Sequence, residues 1–314
     1  MVLFSVRRQV ATKNYKIAAL RRHAAPIKVS TIMIDIYVIN LPEAKERLFR
    51  MHETLSALGV KYKIIPAVKG KDWMESTGIK PFSTILHKYL SPGEVGCYLS
   101  HKKAWKEIMN SSKKFGVVLE DDAVFGDELL DFLEQLNNSS LDFDIIHVEN
   151  VVKNNQSFLT SSDSCVSFEQ TKIYRLFSPS IATGVMIVSK AGAQKLLHLT
   201  DSMYEPADEI VFNIYSSIRP KLIIYQTQKV LAWQNFQLSP EVQKLIPQGI
   251  SKGKVNRKTA SAALHGIKKL FKKINYLFST TLIRNKEWIK MDPNQEQQAK
   301  LAVNYLHLLE KTMN

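Results

Sequence analysis

Cysteine and long apolar runs are both scarce in this sequence. The 314 residues include two cysteines, Cys97 and Cys165, and their separation is typical neither of a metal site nor of a disulfide framework. We therefore expect reduced thiols in a reducing compartment. No apolar run approaches the roughly 20 residues that a membrane-spanning helix requires. The runs near the N-terminus are also too short for the core of a signal peptide.

Acidic residues are nearly absent from two segments near the ends of the chain. Residues 1–30 contain seven Lys or Arg and no acid, and residues 252–290 contain eleven Lys or Arg and one acid, Glu287. Together they account for more than the net charge of +14, so the central part of the chain is close to neutral. A nucleic-acid-binding body would instead mix basic and aromatic residues over its folded surface. No nucleic acid is expected as a partner, and the basic segments favour an anionic surface.

We divide the chain into three parts. Residues 1–32 have no clear periodicity and are interpreted as a basic extension, with Met33 as a hypothetical natural start. The alternative is a basic arm that lies on a membrane. Residues 33–250 carry the pattern of an α/β catalytic domain, and residues 251–314 are interpreted as a basic, amphipathic helical tail.

Strand and helix patterns alternate from the start of the central part. A strand at 34–41, a helix at 43–58 and a strand at 61–65 predict an α/β sheet with right-handed crossovers. Ser91, Pro92 and Glu94 have the spacing of a capping box and open a helix that continues through Ile108. Further helices are predicted at 127–136, 190–199 and 210–216, further strands at 143–148, 174–177, 183–189, 222–225 and 230–233, and a long loop at 150–172, with room for a hairpin.

Three consecutive acids follow a short apolar strand, Val117–Leu119. At the C-terminal end of a strand in a parallel sheet, Glu120, Asp121 and Asp122 would repel one another unless a cation were present. Oxygen ligands of this kind suit Mg²⁺ or Mn²⁺, with substrate phosphates completing the shell. On an extended chain Glu120 and Asp122 share one side and are the expected metal ligands, while Asp121 turns into the protein or toward a ribose. The alternative is a solvated acidic turn.

Two further features are ambiguous on their own. His101 lies on the predicted helix after Ser91, where a histidine is more often structural than a ligand. Acids at 205, 208 and 209 surround a proline turn, which is typical either of an active-site loop or of a helix N-terminus satisfied by its dipole.

The combination of these motifs, in this order and rough spacing, resembles glycosyltransferase family 25, the lipooligosaccharide galactosyltransferases of Gram-negative bacteria. The resemblance covers about residues 34–235. The motifs are Asn40-Leu41 with Arg47, the block Leu90–His101, Val118-Leu-Glu-Asp-Asp122, Gly184 with Ser189-Lys-Ala-Gly192, and Pro206-Ala-Asp208.

The resemblance implies a GT-A type fold, in which a Rossmann-like sheet binds a nucleotide sugar. It also implies a divalent metal, Mn²⁺ or Mg²⁺, held by the acidic motif and the donor diphosphate. The implied reaction transfers a hexose, in most family members galactose, from a UDP-sugar to a sugar hydroxyl with inversion. The family's usual Asp-x-Asp is here Glu120-Asp121-Asp122.

Roles for individual residues follow from the resemblance and from the chemistry of inversion. One direct displacement needs a general base, for which Asp208 in the Pro-x-Asp turn is the first candidate and Glu209 and Glu94 are alternatives. The donor-side residues expected to bind the nucleotide sugar are Asn40, Leu41, Arg47, which could pair with phosphate, Asp121 and His101.

Residues 263–278 have the pattern of an interfacial helix. Apolar residues fall on one face and Lys268, Lys269, Lys272 and Lys273 fall on the other. An anionic membrane surface is the expected partner, and the acceptor is expected to be a lipid-linked oligosaccharide. The implied location is cytoplasmic, peripheral on the inner face of the cytoplasmic membrane. The alternative is a helix packed on the body with its lysines in solvent.

Other functional classes are compatible with parts of the sequence. A metal-dependent phosphohydrolase could use the same acids, although the Leu90–His101 block would then have no explanation. A non-enzymatic basic protein that binds membrane or nucleic acid would need the charge on the folded body, which is close to neutral. An inactive relative that only binds donor or glycan is a further alternative.

Overall fold

The computed structural model describes residues 34–149, 157–201, 204–234, 283 and 285–294. The predicted extension at 1–32, Met33 and the amphipathic segment at 263–278 lie outside the described residues. None of the helices in the described ranges is long and apolar enough to cross a membrane. Neither Cys97 nor Cys165 is in a disulfide.

The described residues form the predicted alternation of helices and strands, together with further elements that were not predicted, such as the helix Gly70–Thr77 and the strand Ala123–Phe125. The helix predicted at 210–216 is observed at Ala207–Phe212. The helices are α1 (Lys45–Ala57), α2 (Gly70–Thr77), α3 (Pro92–Asn110), α4 (Asp127–Asn138), α5 (Lys190–Leu199) and α6 (Ala207–Phe212). The strands are β1 (Asp35–Asn40), β2 (Lys63–Pro66), β3 (Phe82–Ser83), β4 (Lys88–Tyr89), β5 (Phe115–Glu120), β6 (Ala123–Phe125), β7 (Ile145–His147), β8 (Ser157–Ser161), β9 (Val166–Ser167), β10 (Lys172–Arg175), β11 (Val185–Ser189), β12 (Ile224–Thr227), β13 (Ala232–Gln234) and β14 (Lys286–Lys290).

An eight-stranded sheet forms the centre of the molecule, in the order β2-β1-β5-β11-β7-β12-β10-β9. Six of these strands run in one direction, while β11 and β10 run in the other. A large, mostly parallel sheet confirms the predicted α/β class and is consistent with a Rossmann-like nucleotide-binding fold. Ligands of such sheets bind beyond the carboxyl ends of the parallel strands.

Both faces of the central sheet are covered because successive side chains of a strand point to opposite faces. Val118 of β5 packs with Tyr98 and Trp105 of α3 in one core. Val117 and Leu119 pack with residues of α4 in the other core. A strand that is apolar at every position is expected when both faces are buried.

Helix α3 begins at the predicted capping box. The Ser91 hydroxyl accepts from the Glu94 backbone N–H, and the Glu94 carboxylate accepts from the Ser91 backbone N–H. These two bonds satisfy N–H groups that a helix start otherwise leaves without acceptors. The helix is thereby fixed at the end that faces the candidate site.

Within the loop predicted at 150–172, the predicted room for a hairpin is used by Val166–Ser167, but the strand Ser157–Ser161 was not predicted. Ser157–Ser161 is a strand that pairs antiparallel with Lys286–Lys290, and Val166–Ser167 forms a hairpin with the start of β10. The partner strand of β8 lies more than a hundred residues away along the chain. The mostly polar residues of β8 therefore gave no local signal of a strand. For Lys286–Lys290, which fall within the predicted helical tail, the helical assignment does not hold: this strand alternates exposed and half-buried residues.

Candidate active site

The acidic triplet lies where the resemblance implies, at the carboxyl edge of the sheet. Glu120 ends β5 beside the end of β1, with Ile39 as its neighbour in register. Asp121 and Asp122 form the turn to β6, and β6 pairs with β13 so that Ala123 lies opposite Gln234. This pairing brings the late residue Gln234 to the acidic turn.

Asp121 turns into the protein, as the alternation along the strand predicts. Its carboxylate accepts from the Asn40 side-chain amide at 2.7 Å and from the Arg47 guanidinium at 2.9 Å. Its carbonyl oxygen accepts from Arg50 at 2.6 Å. Burial raises the pKa of Asp121, although Arg47 and Asn40 act in the opposite direction. Asn40 and Arg47, predicted to bind the donor, thus also orient the acidic turn.

Glu120 faces helix α3, on the other side of the turn. Its Oε1 lies 3.2 Å from Nε2 of His101 and 3.5 Å from Sγ of Cys97, and its Oε2 accepts from the Gln234 amide at 3.2 Å. His101 is fully buried, whereas the Glu120 side chain is 21% exposed. His101 therefore contacts the acid predicted to hold the metal.

Leu41 and Asp122 complete the residues predicted at this edge. Leu41 is half-buried directly after β1, and its carbonyl accepts from the Ala44 N–H. Asp122 is half-buried and follows Asp121 in the turn. The structure thus brings Leu41 and Asp122 to the same edge as Glu120.

A second group of acids surrounds the start of α6. This helix begins at Ala207, so Asp208 and Glu209 lie in its first turn, where the helix dipole favours negative charge. The Asp208 carboxylate accepts from the Glu209 N–H at 3.0 Å, and Glu209 accepts from the Asn213 amide. Burial raises the pKa of Glu209, and Asp208 raises it further. The acids at 208 and 209 thus lie in the first turn of a helix and remain half-buried.

The third acid, Glu205, has a structural role. It is buried, and its carboxylate accepts from the Ser83 hydroxyl, from the N–H and hydroxyl of Thr84, and from the Ile85 N–H. These bonds anchor the β3–β4 hairpin, which the sequence did not predict. The hairpin in turn carries Lys88.

Lys88 links the hairpin to helix α3 through an ion pair with Glu94 at 2.6 Å. Burial acts to raise the pKa of Glu94, but the hydrogen bonds from Lys88 and Ser91 outweigh it and hold that pKa below its usual value. Lys88 also lies close enough to lower the pKa of Glu209. Two of the residues predicted as the base, Glu94 and Glu209, are therefore close to Lys88. The third, Asp208, directly precedes Glu209.

One face of α3 connects the two groups. Glu94, Cys97 and His101 are separated by three and four residues, so they project from the same side of the helix. At 1.5 Å per residue, the Glu94 end of this face lies roughly 5–10 Å along the helix from the part that contacts Glu120. Glu94, a candidate base, therefore lies on the same face of α3 as the two residues that contact Glu120.

A divalent metal, as the resemblance implies, fits the donor set at the acidic turn. Asp121 is engaged by Arg47 and Asn40, while Glu120 and Asp122 on either side of it are half-buried carboxylates. Two carboxylates suit Mn²⁺ or Mg²⁺ when donor phosphates supply the remaining ligands. In the described ranges, the group of three potential ligands within 4.8 Å of one another is a different one, namely Cys97, His101 and Glu120.

Sequence reasoning missed Cys97, Gln234, Lys88 and a buried pair at the end of β7. There, Glu149 accepts from the Val185 N–H at 2.5 Å, and His147 contacts Gln226 at 2.7 Å. Burial lowers the pKa of His147 to about 4. Helical spacing between Cys97 and His101 was the available signal for that pair. Contacts of Gln234 arise only from strand pairing.

Comparisons with known proteins identify the family of this chain. The profile of glycosyltransferase family 25 (LPS biosynthesis protein) matches residues 33–211, more than half of the chain. Lipooligosaccharide biosynthesis protein lic2B from Haemophilus influenzae is 24% identical over 227 residues, which cover 68% of this chain and 80% of that protein.

Procollagen galactosyltransferases match a shorter part. The 1-A protein of Xenopus laevis is 34% identical over 126 residues and the human protein 2 is 31% identical over 127, in each case 36% of this chain. The chain spans about a fifth of the length of these relatives (21% and 20%). The solved inositol-1-phosphate CTP transferase of T. maritima aligns with 68% of this chain and 94% of its own at 11% identity and a TM-score of 0.34, which is too low to bear on the fold. The profile match, over more than half of the chain and including the acidic turn, shows that this protein belongs to glycosyltransferase family 25.

Proposed function

We propose that this protein transfers a hexose from a UDP-sugar to a sugar hydroxyl of lipooligosaccharide, with inversion and with the help of a divalent metal. Galactose is the hexose that we favour. The observation that carries the proposal is the acidic turn at the carboxyl edge of the sheet, within the part of the chain that matches the family. This is the edge at which α/β sheets bind nucleotides.

The donor side of the reaction would use residues of β1, α1 and the acidic turn. Glu120 and Asp122 would hold Mn²⁺ or Mg²⁺, which when bound would stabilise charge on the leaving diphosphate. Arg47 is 22% exposed beside Asp121, so its guanidinium can orient this turn and still reach a phosphate. Asn40 would keep the turn in place through its bond to Asp121.

The acceptor side would use the acids around α6. Asp208 is our first candidate for the base that takes the acceptor proton. Glu209 is the alternative, since burial raises its pKa toward the range that suits a base at neutral pH. Glu94 is the least suited of the three because Lys88 and Ser91 stabilise its ionised form.

A lipid-linked oligosaccharide is the acceptor that we favour over a procollagen-type acceptor. The Haemophilus relative is named for lipooligosaccharide biosynthesis and aligns over most of its length, whereas the procollagen galactosyltransferases align over about a fifth of theirs. We further propose a cytoplasmic, membrane-peripheral location through residues 263–278, which lie outside the described residues. Equal flotation on anionic liposomes with and without residues 252–290 would argue against it.

The decisive experiment measures UDP release from a panel of UDP-sugars with purified lipooligosaccharide, with Mn²⁺ and with a chelator. Acceptor-dependent and metal-dependent release from UDP-galactose is expected. Glu120→Gln should lower turnover on the order of a thousandfold, since several kcal/mol of transition-state stabilisation is lost. Full turnover by Asp208→Ala would remove Asp208 as the base. Hydrolysis of simple phosphate esters without sugar transfer would support the phosphohydrolase instead.

A further inference from the structure

Cys97, His101 and Glu120 place three different ligand atoms around one point. One ligand atom from each of these side chains lies within 4.8 Å of the ligand atoms of the other two. Two of the three separations are known more closely, with Nε2 to Oε1 at 3.2 Å and Sγ to Oε1 at 3.5 Å. A sulfur, an imidazole nitrogen and a carboxylate oxygen form a ligand set unlike the oxygen-only set assigned to the catalytic metal.

These separations match the edges of a tetrahedral zinc site. With Zn–S of about 2.3 Å, Zn–N of about 2.0–2.1 Å and Zn–O of about 2.0–2.2 Å, a tetrahedral angle places N and O about 3.4 Å apart and S and O about 3.6 Å apart. The observed 3.2 and 3.5 Å need shifts of only one or two tenths of an ångström. The arrangement is therefore close to one that a bound ion would require.

The three ligands stand on regular secondary structure. Cys97 and His101 are separated by one turn of α3, and Glu120 ends the central strand β5. Gln234 donates to the second oxygen of Glu120 at 3.2 Å, which fixes the carboxylate as an outer partner does in known metal sites. Glu120 and Cys97 are partly exposed, so an ion has access from solvent.

We propose that Cys97, His101 and Glu120 bind a thiophilic divalent cation of the Zn²⁺ class, with a fourth position left to water or another small ligand. Thiolate and imidazole ligands select such ions over Mg²⁺ and Mn²⁺. Binding releases the thiol proton to solvent, because the thiolate is the ligand. Where the proposed function holds, the ion also removes Glu120 from the catalytic metal, so zinc inhibits transfer; binding itself does not rest on that function.

Cobalt is the probe for this site, because a thiolate bound to Co²⁺ gives a sulfur-to-metal charge-transfer band and tetrahedral Co²⁺ gives intense visible bands. The full chain carrying Cys165→Ser is titrated, which leaves Cys97 as its single thiol. Both bands are expected, and Zn²⁺ should abolish them by displacing Co²⁺. Adding Cys97→Ser should remove the charge-transfer band and weaken Zn²⁺ binding, measured against a chromophoric chelator, by about a hundredfold or more. Loss of even an outer partner costs roughly 10–100-fold.

Outcomes of this titration are separable from those of the transferase assay. Co²⁺ binding without a charge-transfer band would mean that the metal binds without the Cys97 thiolate and would overturn the proposal. So would equal Zn²⁺ affinity in the two variants, with circular dichroism confirming that both are folded. Gln234→Ala should weaken Zn²⁺ by a smaller factor than loss of the ligand. A chain that binds cobalt as expected but releases no UDP would leave this site intact and refute the proposed function alone.

Discussion

Asp121→Asn should destabilise the protein more than the equivalent change Glu120→Gln. Both oxygens of Asp121 accept from groups that can only donate in their present position: the Arg47 guanidinium at 2.9 Å and the Asn40 amide at 2.7 Å. The Asn40 amide also donates to the Ala44 carbonyl, so turning it over would break that second bond. An asparagine at 121 must therefore direct its own N–H₂ at a donor.

The expected loss is about 1–3 kcal/mol of unfolding free energy, the cost of leaving a buried donor unsatisfied. The raised pKa of Asp121 acts in the other direction, because burial disfavours its charged form and asparagine removes that charge. We expect the donor clash to dominate, since Asp121 is only 6% exposed and water is not at hand to satisfy the misplaced N–H₂ group. At Glu120, a glutamine can keep its carbonyl oxygen toward the Gln234 amide and direct its N–H₂ at His101, whose imidazole can become the acceptor by changing tautomer. Glu120→Gln should therefore cost less than about 1 kcal/mol.

Urea unfolding of the two variants, together with Arg47→Gln and the double variant with Asp121→Asn, measures both effects. A coupling energy of roughly 0.5–3 kcal/mol between positions 47 and 121 is expected for residues in direct contact. Glu120→Gln should keep the wild-type midpoint while losing UDP release. Additive effects at positions 47 and 121, or equal destabilisation by the changes at 120 and 121, would refute this reasoning.

Three other predictions concern residues around the site. Glu205→Gln should cost about 1–3 kcal/mol, since its four bonds all come from donors, and should speed hydrogen exchange in the hairpin that it anchors. The pKa of His147 is lowered to about 4, so its contribution to stability is complete above pH 6.5 and is lost as pH falls from 6.5 through 4. His147→Asn should therefore reduce the pH dependence of the unfolding free energy in that window by roughly 3 kcal/mol. Gly184→Ala would place its Cβ 2.4 Å from the buried Gln234 side chain, so that side chain must move and lose its bond to Glu120. Gly184→Ala should therefore lower UDP release as Gln234→Ala does, and in addition cost about 1–3 kcal/mol of unfolding free energy through overpacking. Unchanged turnover in Gly184→Ala, with turnover impaired in Gln234→Ala, would contradict this last prediction.

Several elements could be predicted from the sequence because their signals are local. The capping box at Ser91 and Glu94 is a spacing of three residues, and it forms as predicted. The all-apolar run of β5 and the following acids indicated a buried strand with carboxylates at its end, and that is where they lie. Alternation along the chain also separated Asp121 from Glu120, because side chains of an extended backbone point to opposite sides.

Pairings between distant segments could not be predicted in this way. Strand β8 was interpreted as loop because its partner, Lys286–Lys290, lies far along the chain and its own residues are mostly polar. The β3–β4 hairpin depends on Glu205, which is separated from it by more than a hundred residues. Secondary-structure propensity depends on residues that are neighbours in sequence. These strands are instead stabilised by hydrogen bonds to residues that are distant in sequence.

The sequence by itself determined which chemistry is available: carboxylates after a buried strand, basic residues near the ends, and the family to which the motifs belong. Only the tertiary structure decided which side chains each of these carboxylates contacts. Asp121 is bonded to Arg47 and Asn40, whereas Glu120 lies between Gln234 and two residues of α3, Cys97 and His101. The physical reason is that a ligand set requires atoms within a few ångströms of one another, and strand register together with helix packing, rather than composition, fixes those distances.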